Sequence, residues 1–526
     1  MPIDHRKRLG AHYTPAALAG FLAGRVRRVL PATDGPIRVL DPACGDGELL
    51  AAVAAHWPDA ELVGFDLDAD AVATAKARLP HAELTQADFT EATPGPGSFD
   101  LVITNPPYVR TQVLGGAAAA RLAARYGLRG RIDLTHPFVA VVPELLRPGG
   151  VLGLLCSNRF LTTRAGANVR ALLGKQLAVR EVFDLGDTRL FEAAVLPAIV
   201  IAVKGEQAEA RYASAYQVDQ EAPEGDLYAA LTADEDRVIR VGARTFAVST
   251  GTLVRGTPEQ PWRLTTPARE RRHADVRSRT WRSLGELAKI RVGIKTTADP
   301  VFISEDWDGL PPEHSPEAQL LRPLLTHHDV RAWLPPGPPR ARVLYPYLDL
   351  PTRAVVDLKD HPRAAAYLES HRARLESRGY LTAAGREWFE IWVPQRPALW
   401  REPKIVFPDI SPEPRFTVDR SGAVVNGDCY WISVPELGGD ELAHLVLGIA
   451  NSTFGARFYD EVCGNRLYAG RRRWITQYVG LLPLPDPVTP AAQEVIRVAR
   501  ELTTTGDLAA LPLLERAVRS AFGEVE

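Results

Sequence analysis

The sequence predicts an α/β protein whose first half forms a mostly parallel, doubly wound sheet. From about residue 37, short apolar runs alternate with longer amphipathic segments, which is typical of βαβ units with helices on both faces of a sheet. After about residue 205 this alternation fades into short β-like runs, turns and prolines. The chain of 526 residues has room for two or three domains at roughly 100–200 residues each. A second, α+β domain is therefore expected in the C-terminal half.

Three of the predicted strands end on a polar residue. The apolar runs IRVL, ELVGFD and FDLVIT end at Asp41, Asp66 and Asn105. Ligands of doubly wound sheets bind at the carboxyl ends of the strands, so chemistry is expected at these residues. The remaining predicted elements of this half are two helices, GELLAAVAAHW and DADAVATAKARL, and three strands, GVLGLLCS, AVREVFDL and LPAIVIAV.

Domain boundaries are less clear in the C-terminal half of the sequence. Residues 255–282 contain eight arginines against three acidic residues, a local excess of five positive charges, which fits a solvated connector as well as it fits a functional surface. Residues AAQEVIRVARELTT show apolar positions at helical spacing. We predict a first domain over 1–245, an arginine-rich connector over 246–283, a second domain over 284–487 and a helical segment over 488–526.

Composition excludes several classes of protein. The net charge of -2 gives no global indication of a polyanionic partner, although local arginine clusters can still bind phosphate. The four cysteines are far apart and form no CxxC pair, so neither a disulfide framework nor a metal site is expected. The N-terminus is polar and no run approaches the roughly 18 apolar residues of a membrane span. We expect a cytoplasmic protein.

The segment VLDPACGDGELL has the pattern of a ligand-binding turn between a strand and a helix. Gly45 and Gly47 allow the backbone to approach a ligand, and the N–H groups at the helix start can face its polar end. Asp66 ends the next strand, where a carboxylate can accept both hydroxyls of a ribose. Asp88 and Phe89 are placed at the end of the third strand, suited to pairing with and packing on an adenine ring. Each acid alone fits a solvated loop, but the set favours a nucleoside-containing cofactor.

The stretch TNPPYVR follows the fourth strand, and prolines with an asparagine fit a plain strand terminator. In the company of the other motifs, however, it resembles the S-adenosylmethionine-dependent DNA adenine-N6 methyltransferases of the Eco57I and TaqI type, in the γ arrangement. The matching segments are GAHYTPAALA at 10–19, DPACGDGELL at 41–50, GFDLD at 64–68, QADF at 86–89, TNPPYVR at 104–110 and RLFEAAVLPAIVIA at 189–202. Similar segments of the TaqI-type target-recognition domain are VGIKTTADPVFI, LLRPLLTHHDVRAW, EPKIVFPDIS and IANSTFGARFYDEVCG.

The resemblance implies a Rossmann-like class I methyltransferase domain over 1–245 and an α+β target-recognition domain over 284–487. It implies S-adenosylmethionine as the cofactor and double-stranded DNA as the partner, with a nucleoid location when DNA is bound. The implied cofactor-binding residues are Tyr13, Thr14, Pro15, Asp41, Ala43, Gly45, Gly47, Asp66, Leu67, Asp88 and Phe89. The implied catalytic residues are Asn105, Pro106, Pro107 and Tyr108, with Tyr108 and Phe191 stacking on the target base.

These residue types suit methyl transfer to an exocyclic amine, whose lone pair is delocalised into the ring. The Asn105 side-chain oxygen and the Pro106 carbonyl can accept its hydrogens, which favours a pyramidal nitrogen. The two prolines fix φ and remove backbone donors, and the step depends on orientation and electrostatics. In duplex DNA the base must first be flipped out of the stack. In the C-terminal half, Arg466, Arg471, Arg472 and Arg473 either grip phosphates or form a solvated basic loop.

Several alternatives stay open. The same tetrapeptide serves enzymes that methylate ribosomal RNA adenine, release-factor glutamine or cytosine N4, and a DNA-binding subunit without catalysis is a further possibility. The long C-terminal half favours DNA, and the intact set of acids and asparagine favours catalysis. No segment before the YTP motif at residue 13 is expected to hold a nuclease. We expect a methyltransferase of a restriction-modification or other phage-defence system, with any nuclease or further subunit as a separate partner.

Overall fold

The computed structural model describes residues 13–91, 94–107, 116–130, 132–163, 165–188, 196–463 and 471–523. The chain divides into two compact units. The first comprises Met1–Arg269 with Cys463–Gly470, and the second comprises Glu270–Val462 with Arg471–Glu526. The predictions for Tyr108, Phe191 and Arg466 fall outside the described residues, so they stay predictions.

The first unit begins with the alternation of strands and helices that the sequence predicts. Its helices are α1 (Ala16–Val29), α2 (Glu48–Ala54), α3 (Ala69–Arg78), α4 (Gly116–Tyr126), α5 (Thr135–Leu145), α6 (Arg159–Thr162), α7 (Ala167–Gln176) and α8 (Leu227–Thr232). Its strands are β1 (Arg38–Asp41), β2 (Glu61–Asp66), β3 (Glu83–Gln86), β4 (Phe99–Thr104), β5 (Leu146–Ser157), β6 (Ala178–Asp184), β7 (Pro197–Val203), β8 (Arg211–Val218), β9 (Arg237–Val241), β10 (Arg244–Val254) and β11 (Arg263–Thr265).

These strands form one mixed sheet in the order β11-β10-β8-β6-β7-β5-β4-β1-β2-β3, with β9 paired to β10. The first seven strands run parallel except β7, which is antiparallel to both β5 and β6. The strand order reverses at β1, whose neighbours are β2 and β4. Doubly wound sheets bind ligands at such a reversal, which lies between the end of β1 at Asp41 and the end of β4 before Asn105.

Successive residues of the central strands enter two different cores, because side chains alternate between the faces of a sheet. Val39 belongs to the core that contains α1, α2 and α3, and Leu40 belongs to the core that contains α5 and α7. In β4, Leu101 and Ile103 join the first core and Val102 the second. The predicted doubly wound arrangement is thereby confirmed.

The expected connector over residues 246–283 is wrong in its first part. Residues 244–254 form β10, which pairs antiparallel with β8 from Thr245 to Thr252, and β11 pairs with the far end of β10. The sheet therefore continues beyond the predicted boundary at residue 245. The sequence pattern there has the period of two of an antiparallel strand that is buried on one face, and it lacks the helices that mark a βαβ unit.

The second unit begins within α9 (Pro267–Ser278) and consists of short elements. Its further helices are α10 (Leu284–Leu287), α11 (Asp299–Phe302), α12 (Pro362–Ser370), α13 (Arg372–Glu376), α14 (Gly379–Ala383), α15 (Val434–Leu437), α16 (Asp440–Ala450), α17 (Thr453–Cys463), α18 (Thr476–Val479), α19 (Pro490–Thr505) and α20 (Leu511–Phe522). Its strands are β12 (Arg282–Ser283), β13 (Arg291–Val292), β14 (Ile303–Ser304), β15 (Leu321–Leu325), β16 (Arg342–Leu344), β17 (Lys404–Pro408), β18 (Ile410–Ser411), β19 (Thr417–Asp419), β20 (Val424–Val425), β21 (Cys429–Ser433), β22 (Arg472–Arg473) and β23 (Pro483–Leu484).

These strands build small sheets around a separate core. Two of the sheets have four strands, in the orders β13-β21-β17-β19 and β14-β16-β15-β20, and two have a single pair each, β12-β23 and β18-β22. Buried tryptophans at 307, 400 and 431 contribute to the core between them. The α+β character predicted for this half is present.

The C-terminal helices belong to the second unit and do not form a separate segment from residue 488 onwards. Helix α19 begins after Thr489, whose hydroxyl accepts the Ala492 N–H at 3.4 Å, and ends at Gly506 with φ +70°. Gly448 in α16 permits close packing, since a Cβ there would lie 2.5 Å from Val495 of α19. Among the described residues, no helix combines the length and apolar character of a membrane span.

Candidate active site

The turn after β1 is tied to the end of β2. The Gly45 N–H donates to Asp66 Oδ2 at 2.8 Å, and the Asp68 N–H donates to Asp66 Oδ1 at 2.9 Å. The Cys44 N–H donates to the Phe65 carbonyl at 2.8 Å. Burial raises the pKa of Asp66 and these backbone donors partly oppose the shift. Asp66 therefore holds the turn in place with the same carboxylate that was predicted to bind ribose.

Both glycines of the turn have a backbone that disfavours other residues. Gly45 has φ +53° and Gly47 has φ +81°, which is the left-handed region. A Cβ on Gly47 would lie 3.1 Å from the Cβ of Ala75 in α3. A Cβ on Gly45 would lie 3.6 Å from the ring of Tyr13. The turn is thus shaped by backbone conformation and close packing together.

Asp41 is a buried carboxylate with an unused oxygen. Its side chain is 1% exposed, Oδ1 accepts the Ala43 N–H at 3.0 Å, and Oδ2 has no hydrogen bond of ordinary geometry within the described residues. The nearby Thr104 hydroxyl is also without such a bond, and its proximity partly opposes the rise in the pKa of Asp41. Burial raises the pKa of Asp41 to about 7, because a carboxylate in a low dielectric loses its hydration. An unsatisfied buried carboxylate is costly for a fold, so this atom is a position for a cationic or hydrogen-donating ligand.

The third predicted strand end differs from expectation. Strand β3 stops at Gln86, and Asp88 is exposed with Oδ1 accepting the N–H and hydroxyl of Thr90 at 2.8 and 2.7 Å. Phe89 is 4% exposed and stacks on Phe138 with ring centroids 5.7 Å apart. The ring is a core side chain here and offers little surface to an adenine. The apolar side chain exposed at this edge is Leu67.

The YTP segment and the NPP segment meet, although 91 positions separate them. Asn105 Nδ2 donates to the Thr14 hydroxyl at 3.1 Å. The Pro15 carbonyl accepts the N–H groups of Leu18 and Ala19 at 3.0 and 2.9 Å and so starts α1. Helix α1 in turn buries Leu18 and Leu22 in the first core. The sequence assigned Thr14 to the cofactor only, and the contact with Asn105 was missed because nothing local in the sequence encodes it.

Asn105, Pro106 and Pro107 follow β4 directly. Pro106 is buried, while Asn105 and Pro107 are half-buried. Strand β4 pairs with β1 in the register Val39 to Leu101 and Leu40 to Val102. The asparagine therefore stands beside the strand that carries Asp41, at the edge where the strand order reverses.

A buried polar network that the sequence analysis did not select lies at the same edge. Asp184 is the last residue of β6. Its carboxylate accepts hydrogen bonds from Asn158 Nδ2 at 2.9 Å, the Tyr216 hydroxyl at 2.6 Å and the Gly186 N–H at 3.1 Å. Burial raises the pKa of Asp184. The network joins the ends of β5, β6 and β8. Its sequence signal was the same as for Asp41, an acid at the end of an apolar run.

The arginines predicted to bind DNA in the second unit have different surroundings. Arg472 Nε and Nη2 donate to the two oxygens of Asp460 at 2.7 and 2.8 Å, and this hydrogen-bonded pairing raises the pKa of Arg472. Arg473 donates to both oxygens of Asp409 at 3.2 and 3.1 Å. Arg471 is exposed. Two of the arginines predicted as DNA contacts, Arg472 and Arg473, are thus paired with carboxylates of the same unit, and their contact with phosphate stays a prediction.

The strand order with an antiparallel β7, the glycine turn after β1 and the acids at the strand ends define a class I S-adenosylmethionine-dependent methyltransferase. The Eco57I restriction-modification methylase family matches residues 66–191, and a general methyltransferase-domain family matches residues 12–106. The Type II methyltransferase M.BanIII of Aneurinibacillus aneurinilyticus is 36% identical, over 94% of this chain and 93% of its own length. The chain belongs to the family of Type II restriction-modification methyltransferases.

A second relative agrees with this assignment, and a solved structure agrees with the fold. The Type II methyltransferase M.XhoI of Xanthomonas vasicola is 29% identical over 81% of this chain and 75% of its own. In fold, the chain is similar to the protein in the cryo-electron microscopy structure of the DrdV–DNA complex, with a TM-score of 0.51 and 11% identity over 95% of this chain and 57% of that one. S-adenosylmethionine is therefore the cofactor, and DNA methylation is the activity of the family.

The residues present fit this cofactor. Asp41 Oδ2 is a buried acceptor without a donor among the described residues, and an ammonium group would satisfy both its charge and its hydrogen-bonding capacity. Asp66 retains lone pairs for a ribose, since the backbone donors at its two oxygens do not use all four acceptor positions of the carboxylate. The glycine turn brings backbone N–H groups to the start of α2. Bound there, the cofactor would supply an electrophilic methyl group.

Proposed function

We propose that the chain transfers a methyl group from S-adenosylmethionine to N6 of an adenine that is flipped out of duplex DNA. The observation that carries the proposal is the hydrogen bond from Asn105 Nδ2 to Thr14. It orients a neutral amide at the end of β4, beside the strand that ends in Asp41. A neutral, oriented acceptor suits a planar amino group that must lose conjugation before it can act as a nucleophile.

The chemistry follows from how the amide is held. When Nδ2 is directed to Thr14, Oδ1 lies in the same amide plane and points away from Thr14, where it can accept one hydrogen of the target NH2 group. The carbonyl of Pro106 accepts the second. The prolines have no N–H groups that could compete for these acceptors. Preorganised acceptors of this kind lower the barrier because they require no reorganisation during the reaction.

In this proposal the two units have different functions. The first unit binds the cofactor and carries out the transfer, and the second unit, Glu270–Val462 with Arg471–Glu526, recognises the DNA sequence. Tyr108 and Phe191 remain the predicted stacking residues, each base stack contributing roughly 1–3 kcal/mol. A nuclease that cuts the same unmethylated sequence would be a separate protein.

The test is to identify the methylated atom. The purified protein is incubated with labelled S-adenosylmethionine and, in separate reactions, duplex DNA, ribosomal RNA and release factor. The labelled DNA is digested to nucleosides and analysed by mass spectrometry. N6-methyladenosine in its deoxy form is expected. N4-methylcytosine would overturn the choice of base, and label in RNA or release factor but in no DNA would overturn the proposal.

Asn105 variants separate catalysis from cofactor binding. Asn105→Ala removes the acceptor, so we expect the single-turnover rate to fall by about 100-fold or more while the Kd for S-adenosylmethionine changes little. Asn105→Asp keeps an acceptor but cannot donate to Thr14, and it should retain more activity than the alanine variant. Both are measured by rapid quench on one duplex. Equal rates for Asn105→Ala and wild type would refute the assigned role.

A further inference from the structure

The second unit contains a cavity of about 500 Å3 at the junction of β18 and β22. Sites for organic ligands commonly have roughly 300–1,000 Å3, so the space is sufficient for the edge of a nucleobase pair. The side chains that matter for its chemistry are two arginines, two aspartates, a histidine and one exposed isoleucine. They are Arg415, Arg471, Asp409, Asp428, His327 and Ile410.

The acidic wall of this cavity is formed by Asp409 and Asp428, whose carboxylates have hydrogen-bond partners. Asp409 accepts hydrogen bonds from Nε and Nη2 of Arg473, and it also accepts one from the Tyr430 hydroxyl at 3.2 Å. Its N–H donates to the carbonyl of Asp428 at 2.7 Å. His327 Nδ1 lies 2.6 Å from Asp428 Oδ2. Each carboxylate is therefore held by partners from other segments, and the wall presents acceptors in fixed positions.

The basic wall has unused hydrogen-bonding capacity. Arg415 and Arg471 line the cavity, and neither guanidinium has a hydrogen bond or ion pair with any residue in the described ranges. This contrasts with Arg472 and Arg473, whose guanidinium groups are paired with Asp460 and Asp409. A planar guanidinium group whose N–H donors have no partner is suited to a planar ligand with two adjacent hydrogen-bond acceptors.

The mixed lining decides between two kinds of DNA contact. A phosphate would meet the Asp428 carboxylate beside the two arginines, and this carboxylate would repel it, whereas the charge of Asp409 is already paired with Arg473. The edge of a base pair carries donors and acceptors together. Arginine pairs with the O6 and N7 acceptors of guanine, and a carboxylate accepts from the N4 amino group of cytosine. The lining therefore matches a G·C pair better than it matches the DNA backbone.

We infer that this cavity reads one G·C base pair of the target sequence, with Arg415 and Arg471 donating to guanine and Asp428 accepting from cytosine. The inference rests on the proposed function, since it names the partner of the second unit as duplex DNA. It changes the role of Arg471 from positioning on phosphate to discrimination between bases.

The experiment begins with the wild-type sequence specificity. The protein is incubated with a library of duplexes containing a randomised segment, and the methylated positions are located by sequencing. Each base pair of the preferred site is then replaced in turn, and kcat/KM is measured for the wild type and for Arg415→Ala, Arg471→Ala and Arg471→Lys. Arg497→Ala is the matched control, because Arg497 lies on α19 with its ion-pair partners Glu494 and Glu501 on the same helix.

We expect the alanine variants to lose discrimination at one G·C pair by roughly 5- to 150-fold, with the salt dependence of binding unchanged. Arg471→Lys should lose most of the same discrimination, since it keeps the charge but lacks the fork. A uniform loss on all duplexes, with the salt slope reduced by about one and recovery in Arg471→Lys, would identify a phosphate contact and overturn the inference.

Two other outcomes would also overturn the inference. A preferred site without any G·C pair, or variants that discriminate as the wild type does, would overturn the inference and leave the proposed function standing. If the wild type methylates no duplex of the library, the proposed function itself fails, and the inference fails with it. The Arg497→Ala control should match the wild type on every duplex.

Discussion

Asp41 and Asp66 show how two acids at neighbouring strand ends acquire different chemistry. Asp66 accepts backbone donors on both oxygens, whereas Asp41 has one satisfied and one unsatisfied oxygen. Burial raises the pKa of Asp41 to about 7 and also raises that of Asp66. Asp66 therefore supports the turn in the apoprotein, and Asp41 is the acid that a cationic ligand would stabilise most.

Binding of S-adenosylmethionine should depend on pH through Asp41. With a pKa of about 7, the carboxyl is neutral below that pH, and a cationic ligand then has to displace a proton. The affinity should fall up to about tenfold for each pH unit below 7 and level off above it. Calorimetry at pH 6 in two buffers of different ionisation enthalpy should show proton release. Asp41→Asn should bind weakly at every pH, without that proton release.

The raised pKa of Asp41 also determines how the stability of the apoprotein changes with pH. The pKa of Asp41 is higher in the folded apoprotein than in the unfolded chain, so its contribution to the free energy of unfolding is complete below about pH 4 and is lost as pH rises through 7. Asp41→Asn should then raise the stability of the apoprotein at pH 8 by an amount on the order of 2–4 kcal/mol. A less stable Asp41→Asn apoprotein at pH 8 would contradict the assigned ionisation.

Local sequence patterns predicted some positions and not their partners. Asp41 and Asp66 fall at strand ends as predicted, and Asn105 directly follows its strand, because an apolar run followed by a polar residue is a local signal. The contact of Asn105 with Thr14, the burial of Phe89 against Phe138 and the network of Asp184 depend on residues far away in the chain. Single-sequence reasoning has no access to such pairings.

At the scale of elements, β17 and β19 of the second unit carry a buried ion pair. Lys404 and Asp419 lie directly opposite in the antiparallel register, with Nζ 2.7 Å from Oδ2 and side chains that are 0% and 1% exposed. Lys404 Nζ also donates to the Trp400 carbonyl at 2.9 Å, and Asp419 Oδ1 accepts the Ser421 hydroxyl at 2.6 Å. Burial lowers the pKa of Lys404 and the Asp419 charge partly opposes that shift.

Removing one member of this pair should destabilise the second unit strongly. Lys404→Met leaves the Asp419 charge buried without its partner, which costs about 3–5 kcal/mol. The double variant Lys404→Met with Asp419→Asn removes both charges and should recover most of that loss. Denaturant unfolding followed by tryptophan fluorescence measures both. Arg372→Ala, which breaks an exposed pair with Glu376, is the control and should change little. A single variant as stable as the double one would contradict this account.

Element prediction succeeded where one pattern persisted and failed where it changed. Strands β1, β2 and β4 and helices α2 and α3 were predicted from the alternation of βαβ units. Strands β9 to β11, which join the sheet through antiparallel pairs, were missed because such pairing needs no intervening helix. Strand β8 is parallel to β6, and it was missed because the described residues between β7 and β8 contain no helix. In the second unit, the arginine run was read by composition alone, and the pairing of Arg472 with Asp460 could not be predicted without the fold.

For the whole molecule, each unit has a core of its own. The two cores that flank the large sheet are built from residues between Leu18 and Leu264, and the core of the second unit is built from residues between Ile294 and Trp431. The last part of the first unit is tied to its sheet, since the Trp262 N–H donates to the Leu161 carbonyl at 2.7 Å and its ring contacts Phe160. An independent core is the main requirement for independent folding.

A fragment of residues 1–269 should therefore fold, bind S-adenosylmethionine and fail to methylate DNA at a specific site. Every predicted cofactor-site residue and both cores of the large sheet lie within it. We expect a single cooperative thermal transition by circular dichroism and a Kd for the cofactor within a few-fold of that of the full chain. Asp41→Asn in the fragment should remove that binding. Site-specific methylation at the rate of the full chain would contradict the assignment of recognition to the second unit, and the loss of a cooperative transition would contradict the independence of the first.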